Sequence, residues 1–219
     1  MNKSVMAVGV ALLSGSVMAS GAFDGPYVQL GIGGAGTQTE SNYNELGLGN
    51  RTSNEGAFLG QILGGYSKSF DAFNLAANVF YNMGDQKSGK NSAAATASGY
   101  TGTISQDFTM KNTWGVSLEP GVYVADKTLG YLKLSYYNSQ MNYDVGATLT
   151  GPNVNYSSGF NSSKSMNGIG YGLGFKQMFT DNIYGLVEYQ YVQYDTWNDG
   201  PVSYKPNQNY GWVGVGYKF

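Results

Sequence analysis

Along residues 210–219, YGWVGVGYKF, Val213, Val215, Tyr217 and Phe219 fall on one parity and Trp212, Gly214, Gly216 and Lys218 on the other. A two-residue period predicts a strand with two unlike faces. One face is apolar and ends on an aromatic residue; the other mixes glycine with one Trp and one Lys. That contrast suits a strand with lipid on one side and a filled interior on the other. The stretch reads as the closing strand of a β-barrel, with no tail expected after it.

The same alternation predicts seven earlier strands. Residues 27–36 set Val28, Leu30 and Ile32 against Gln29, Gly31 and Gly33, and 57–68 set Phe58, Ile62 and Tyr66 against a mixed face of Leu59, Gln61 and Leu63. Residues 73–84 set Leu75, Ala77, Val79, Tyr81 and Met83 against Asn74, Ala76, Asn78, Phe80 and Asn82. The others are 111–125, 129–138, 166–179 and 183–194. Pro120 cannot donate to a ladder, so a bulge or break is expected there.

The connections alternate in length. Those near 69–72, 126–127 and 181–182 are tight; 37–56, 85–110, 139–165 and 195–208 are long and rich in Ser, Asn, Thr and Gly. Short turns at one end and long loops at the other are the outer-membrane barrel pattern, which predicts an all-β, eight-stranded antiparallel up-and-down transmembrane barrel. The parity of Phe219 is almost free of charge throughout, whereas the opposite parity carries Glu119, Lys133, Lys176 and Glu188. A soluble eight-stranded calyx would reverse this, apolar inside and polar outside.

An amino-terminal leader precedes the strands. Lys3 supplies a positive charge, 5–13 an apolar core and Val17-Met18-Ala19 a cleavage site, with Ala22 as the alternative cut. The expected division is a signal peptide over 1–19 and a barrel over 20–219. The apolar core is too short for a spanning helix.

Composition narrows the chemistry. Of 219 residues, 12% are charged and the net charge is -2, which offers no basic footprint for nucleic acid. Histidine and cysteine are absent, so a His-based triad and a thiolate site are excluded. Gly31, Gly33 and Gly36 spell GxGxxG, but inside a strand with no following helix. Asp195 and Asp199 offer too few oxygens for Ca²⁺. No cofactor, metal or catalytic residue is expected. Lipid enzymes working through carboxylates or Lys remain the least favoured reading.

The segments WGVSLEPGVYVADKTLGYLKLSYY, NIYGLVEYQYVQY and YGWVGVGYKF resemble the OmpA-like, opacity-type family of outer-membrane barrels. The resemblance covers essentially the whole mature chain. It implies a monomeric barrel of a Gram-negative outer membrane with mobile surface loops, inserted by assembly machinery that reads the terminal strand of Val213, Val215, Tyr217 and Phe219. Some family members are adhesins or immune-evasion antigens and some are called small porins. The chain is therefore expected to be a non-enzymatic surface antigen, with an extracellular ligand taken by the loops; the alternative is a small porin.

An eight-stranded barrel is just wide enough for side chains to fill, and buried charges need partners. With Asp126 at one turn apex, Glu119 faces Lys133; with Asn182 at another, Lys176 faces Glu188. Two cross-strand pairs plugging the lumen are expected, with Tyr123, Tyr131, Tyr137, Phe80 and Trp212 filling the room beside inward glycines. Outward aromatics should form two belts: Tyr66, Phe179, Tyr217 and Phe219 at the periplasmic edge, and Tyr81, Trp114, Tyr136 and Tyr191 at the outer edge.

Overall fold

A computed structural model describes residues 21–42, 50–199 and 202–219. The expected leader, 1–19, lies outside the described residues. The strands are β1 (Gly25–Asn42), β2 (Asn50–Phe70), β3 (Phe73–Met83), β4 (Gln86–Ala97), β5 (Tyr100–Ala125), β6 (Thr128–Gly151), β7 (Val154–Met178), β8 (Ile183–Tyr194), β9 (Trp197–Asp199) and β10 (Val202–Lys218). Eight of them close a ring in the order β1-β2-β3-β5-β6-β7-β8-β10, sealed by antiparallel pairing of β10 back onto β1. β4 and β9 lie outside the ring, each paired to one neighbour.

Two-residue periodicity sets which side chains go in. Along β3 exposed and buried residues alternate without a break, Asn74, Ala76, Asn78, Phe80 and Asn82 pointing inward. Val28, Leu30, Ile32, Leu132, Leu134, Leu173, Val213 and Val215 lie on the outer surface. The core is the lumen, and it holds Glu119, Lys133, Lys176 and Glu188. A charged interior under an apolar coat is the reverse of a soluble barrel and matches one whose outer solvent is lipid.

Among the described residues, much of the long connections is strand rather than loop. Strands β5, β6 and β7 run for 26, 24 and 25 residues, well past the roughly 9–11 that cross a bilayer. Residues 139–165 are a continuous ladder from Ser139↔Met166 to Gly151↔Val154. Turn-forming composition gives way here because the two strands share one unbroken ladder of backbone bonds. The period was present in the chain: Met141, Tyr143, Val145, Ala147 and Leu149 alternate with Gln140, Asn142, Asp144, Gly146 and Thr148. Similarly, β4 and β5 form a hairpin closed by Ser98 and Gly99, both at positive φ, the backbone that a two-residue hairpin turn demands.

At Pro120 the ladder to β6 shows the expected break, without a bulge. Pairing with β6 pauses at that point but keeps its register, Leu118↔Leu134 and Gly121↔Tyr131 lying on either side. The register slips instead between Lys111 and Trp114, where Asn112 has a φ of 51°, and between Tyr123 and Ala125. The slip at Asn112 keeps Phe108 and Met110 on the buried side in step with Thr113 and Gly115 below it.

Candidate functional site: a filled lumen beneath a protruding sheet

The centre of the barrel is a chain of four charges. Lys176 Nζ lies 2.5 Å from Glu119 Oε2, Lys133 Nζ lies 3.4 Å from Glu119 Oε1, and Lys133 Nζ lies 3.1 Å from Glu188 Oε2. All four side chains are buried. The tight turn after Ala125 sets Glu119 across from Lys133, as the flanking ladder pairs require.

The expected pairing of Lys176 with Glu188 is not formed. The β7–β8 turn occupies 179–182, where Thr180 Oγ1 accepts the N–H groups of Asn182 at 3.3 Å and Ile183 at 2.9 Å. That local bonding moves the apex by one position and the opposition by two. Lys176 therefore faces Leu186, and Glu188 faces Gly174. Lys176 crosses the lumen to Glu119, while Glu188 meets Lys133 over β7, where only glycines intervene: Lys133↔Gly172 on one side and Gly174↔Glu188 on the other. A Cβ at Gly174 would lie 2.5 Å from the Tyr131 ring, so the bare backbone there makes the bridge over β7 sterically feasible.

Polar neighbours complete the charge shell. Asn78 Nδ2 donates to Glu119 Oε1 at 2.8 Å, and Tyr131 OH donates to Glu188 Oε2 at 2.8 Å. Gln190 Nε2 donates to Glu188 Oε1. Lys176 Nζ also sits 4.6, 5.0 and 5.8 Å from the ring centroids of Tyr131, Tyr27 and Tyr184. Ring faces attract a cation, so Lys176 is held by one carboxylate and three tyrosines.

Above and below this layer the lumen is closed. On the loop side, Phe80, Tyr137, Tyr210 and Trp212 meet in succession, with centroids 4.8, 5.8 and 5.8 Å apart, the first contact tilted and the other two stacked. Over them Gln208 Nε2 donates to Thr37 Oγ1 at 3.0 Å and to Gln86 Oε1 at 2.6 Å, and Tyr194 OH donates to Gln208 Oε1 at 2.9 Å. Phe108, Met110, Met141 and Met166 are buried higher still. At the short-turn end Phe23 plugs the opening, 6.0 Å from the Tyr123 ring and 5.7 Å from that of Tyr184. Asp24 secures it by accepting from Ser69 N at 2.7 Å and Lys68 Nζ at 3.0 Å. Its carboxyl is partly buried, which raises its pKa, but the bonds from Ser69 and Lys68 outweigh that and hold it below the usual value. Sequence reasoning missed this stopper and the glutamine layer, because neither lies in a local motif.

Of the outward aromatics, Tyr66, Phe179, Tyr217 and Phe219 are exposed near the short-turn end. Tyr81 pairs across the ladder with Trp114, and Tyr171 with Tyr191, towards the opposite end. Tyr136 is exposed one ladder step from there, opposite Ile169. Tyr191 is only half-buried by its neighbours. Among the described residues no group of three or more acidic side chains is placed to hold a metal ion.

The family described as "Outer membrane protein beta-barrel domain" matches residues 5–219. No curated protein matches the chain by sequence. Among solved structures, Ail, the attachment invasion locus protein of Yersinia pestis, is 14% identical, covering 90% of this chain and 99% of that one with a TM-score of 0.37. OprG from Pseudomonas aeruginosa is 12% identical, covering 90% and 96% with a TM-score of 0.46. The outer membrane protease OmpT from Escherichia coli is 10% identical, covering 90% and 97% with a TM-score of 0.42. At these identities and TM-scores no residue's role transfers.

Proposed function

We propose, from the premise that this chain belongs to the outer membrane protein β-barrel domain family, that it is a non-conducting, non-enzymatic barrel of the Gram-negative outer membrane. It works by holding a rigid extracellular sheet at the cell surface, as a structural antigen or adhesin. The observation that carries this reading is the lumen. Four buried charges, an aromatic stack, a glutamine layer and the Phe23 stopper occupy it in series. A solute would have to break Lys176–Glu119 and Lys133–Glu188 and strand each ion without a partner.

In this reading the coat of Val213, Val215, Tyr217 and Phe219 lies against acyl chains and presents the terminal strand to the assembly machinery. The exposed aromatics form two belts at the lipid interfaces, and the barrel acts as a monomer. Protein reconstituted in planar bilayers is expected to hold a closed baseline. Stable conductance steps with a solute-size cut-off would overturn the reading in favour of a small porin. Deleting 144–161 is expected to leave a folded barrel, seen as an unheated gel band that migrates differently after boiling, while abolishing surface adhesion.

A further inference from the structure

Towards the loop side the outward face of the wall changes character without changing strands. Tyr136 and Ile169, partners across β6 and β7, are exposed on the lipid side. The same parity then reads Asn138, Gln140, Asn142 and Asp144 on β6 against Asn167, Ser165, Ser163 and Asn161 on β7. Tyr81 OH donates to Asn112 Oδ1 at 3.2 Å, and Asn112 Nδ2 to Gln140 Oε1 at 3.0 Å, so hydrogen bonds lead from the aromatic residues onto this face. Asn138 Nδ2 donates to Ser165 Oγ at 3.0 Å and to Asn167 Oδ1 at 2.8 Å.

Higher up the face is hollowed. Gly146 and Gly159 are cross-strand partners, and Ser105 faces Gly146 from β5. They floor a dent of about 800 Å³, walled by the adjoining row of Asp107, Asp144 and Asn161. A second dent of about 460 Å³ shares Asp144 and Asn161 and continues towards the membrane past Asn142 and Gln140. Such volumes lie within the range of about 300–1,000 Å³ that suits small ligands. The polar groups lining both are hydroxyls, amides and two carboxylates, with no Lys or Arg among the described residues.

Height decides what stands beside this groove. From Tyr136 to Gly146 the strand climbs about 33 Å at about 3.3 Å per residue, which is roughly 25 Å vertically at a tilt of about 40°. The polar layer of a bilayer adds only about 5–8 Å on each side of its hydrocarbon core. A phospholipid head therefore ends near Asn138 and Gln140, whereas a head of several linked sugars reaches Asp144 and Gly146.

We propose that the outward face of β5–β7 from Gln140 to Gly146 seats the neutral sugars of a glycolipid head belonging to the surrounding outer leaflet. Sugar hydroxyls donate to Asp107, Asp144 and the amide oxygens, and accept from the Asn and Ser donors. Carboxylates repel phosphate, so the sugars are recognised rather than the phosphorylated base of the lipid. Paired strands hold these groups on a grid of about 4.8 by 7 Å, which leaves little ordering to be done on binding. The groove opens onto the lipid-facing wall, so an anchored sugar arrives at a high effective concentration that a dissolved one lacks. The inference rests on the reading that the sheet is displayed outside the cell, and the two are tested separately.

Display is read by labelling Asn155→Cys on intact cells with a membrane-impermeant maleimide. Binding is read on the full mature barrel refolded in detergent, with a fluorophore on the same cysteine. The probes are lipopolysaccharide with its complete core sugars, lipid A alone, and core sugars released from the lipid. The complete glycolipid is expected to bind at least tenfold more tightly than either part, with or without a metal chelator. Gly159→Val fills the dent with a strand-compatible side chain, whose Cβ would meet only the Val145 carbonyl at 3.7 Å. It is expected to weaken binding at least tenfold, as is Asn161→Ala, which adds no bulk; Ser158→Val, on the opposite face, should change nothing. Equal affinity for lipid A, released sugars binding as tightly as the whole, loss of binding on chelation, or indifference to both groove variants would overturn the proposal, whatever the labelling shows.

Discussion

Replacing Glu119 with Gln isolates the charge chain with little change of shape. Among the described residues Glu119 is the only carboxylate within 4.0 Å of Lys176, whereas Lys133 keeps Glu188 at 3.1 Å. The variant leaves one excess positive charge in the lumen, and its cost falls mainly on Lys176. Breaking a buried pair by removing one partner costs about 3–5 kcal/mol. The rings of Tyr131, Tyr27 and Tyr184 remain and offset part of that, which places the expectation near the lower end, about 3 kcal/mol, or more than a hundredfold in the folding equilibrium. Lys176→Met should suppress the effect, because the double variant is again neutral inside and fills the same space. It is expected within about 1 kcal/mol of the parent, giving a coupling of at least about 2 kcal/mol in a double-mutant cycle. Urea titration in lipid vesicles, followed by tryptophan emission and by unheated gel mobility, measures each corner of the cycle. Glu119→Gln within about 0.5 kcal/mol of the parent, or additive single effects, would refute the claim that these groups are dry and mutually dependent.

Gly115→Ala puts a methyl 2.2 Å from the Tyr136 carbonyl and 2.4 Å from the Phe80 ring; backbone cannot step aside, so a loss of about 1–3 kcal/mol is expected in the same titration. Asp24 is held below its ordinary value of 3.8. Its contribution is therefore complete above that value and is lost as the pH falls through the lowered one; docking of the Phe23 stopper, read by thiol labelling of Ala22→Cys, should loosen only in acid below about 4. Asp24→Asn should flatten that profile. Intact mass of the mature protein is expected to correspond to 20–219, since Gly21 accepts the Asp24 N–H at 2.8 Å in the turn that seats the stopper; a mass beginning at Phe23 would refute this.

Which face of each strand meets lipid was legible in the chain, because side-chain direction in a strand depends only on parity. Leu132 and Lys133 are neighbours in sequence and point to opposite solvents for that reason. The strand number followed from the same signal, as did the opposition of Glu119 and Lys133, whose turn needs just two residues. What the chain did not reveal is who meets whom across the lumen. Lys176 and Glu119 are 57 positions apart, and Tyr131 and Glu188 also 57. Their meeting depends on where the ring closes and on a single serine-like turn at Thr180, which shifted one pairing by two residues. The length of β6 and β7 beyond the membrane was likewise decided by pairing rather than propensity: a stretch of Ser, Asn and Gly is a loop when alone and a strand when a neighbour supplies a continuous ladder of backbone bonds. Local period sets orientation; partner identity is a property of the closed cylinder, because only closure brings distant strands within reach.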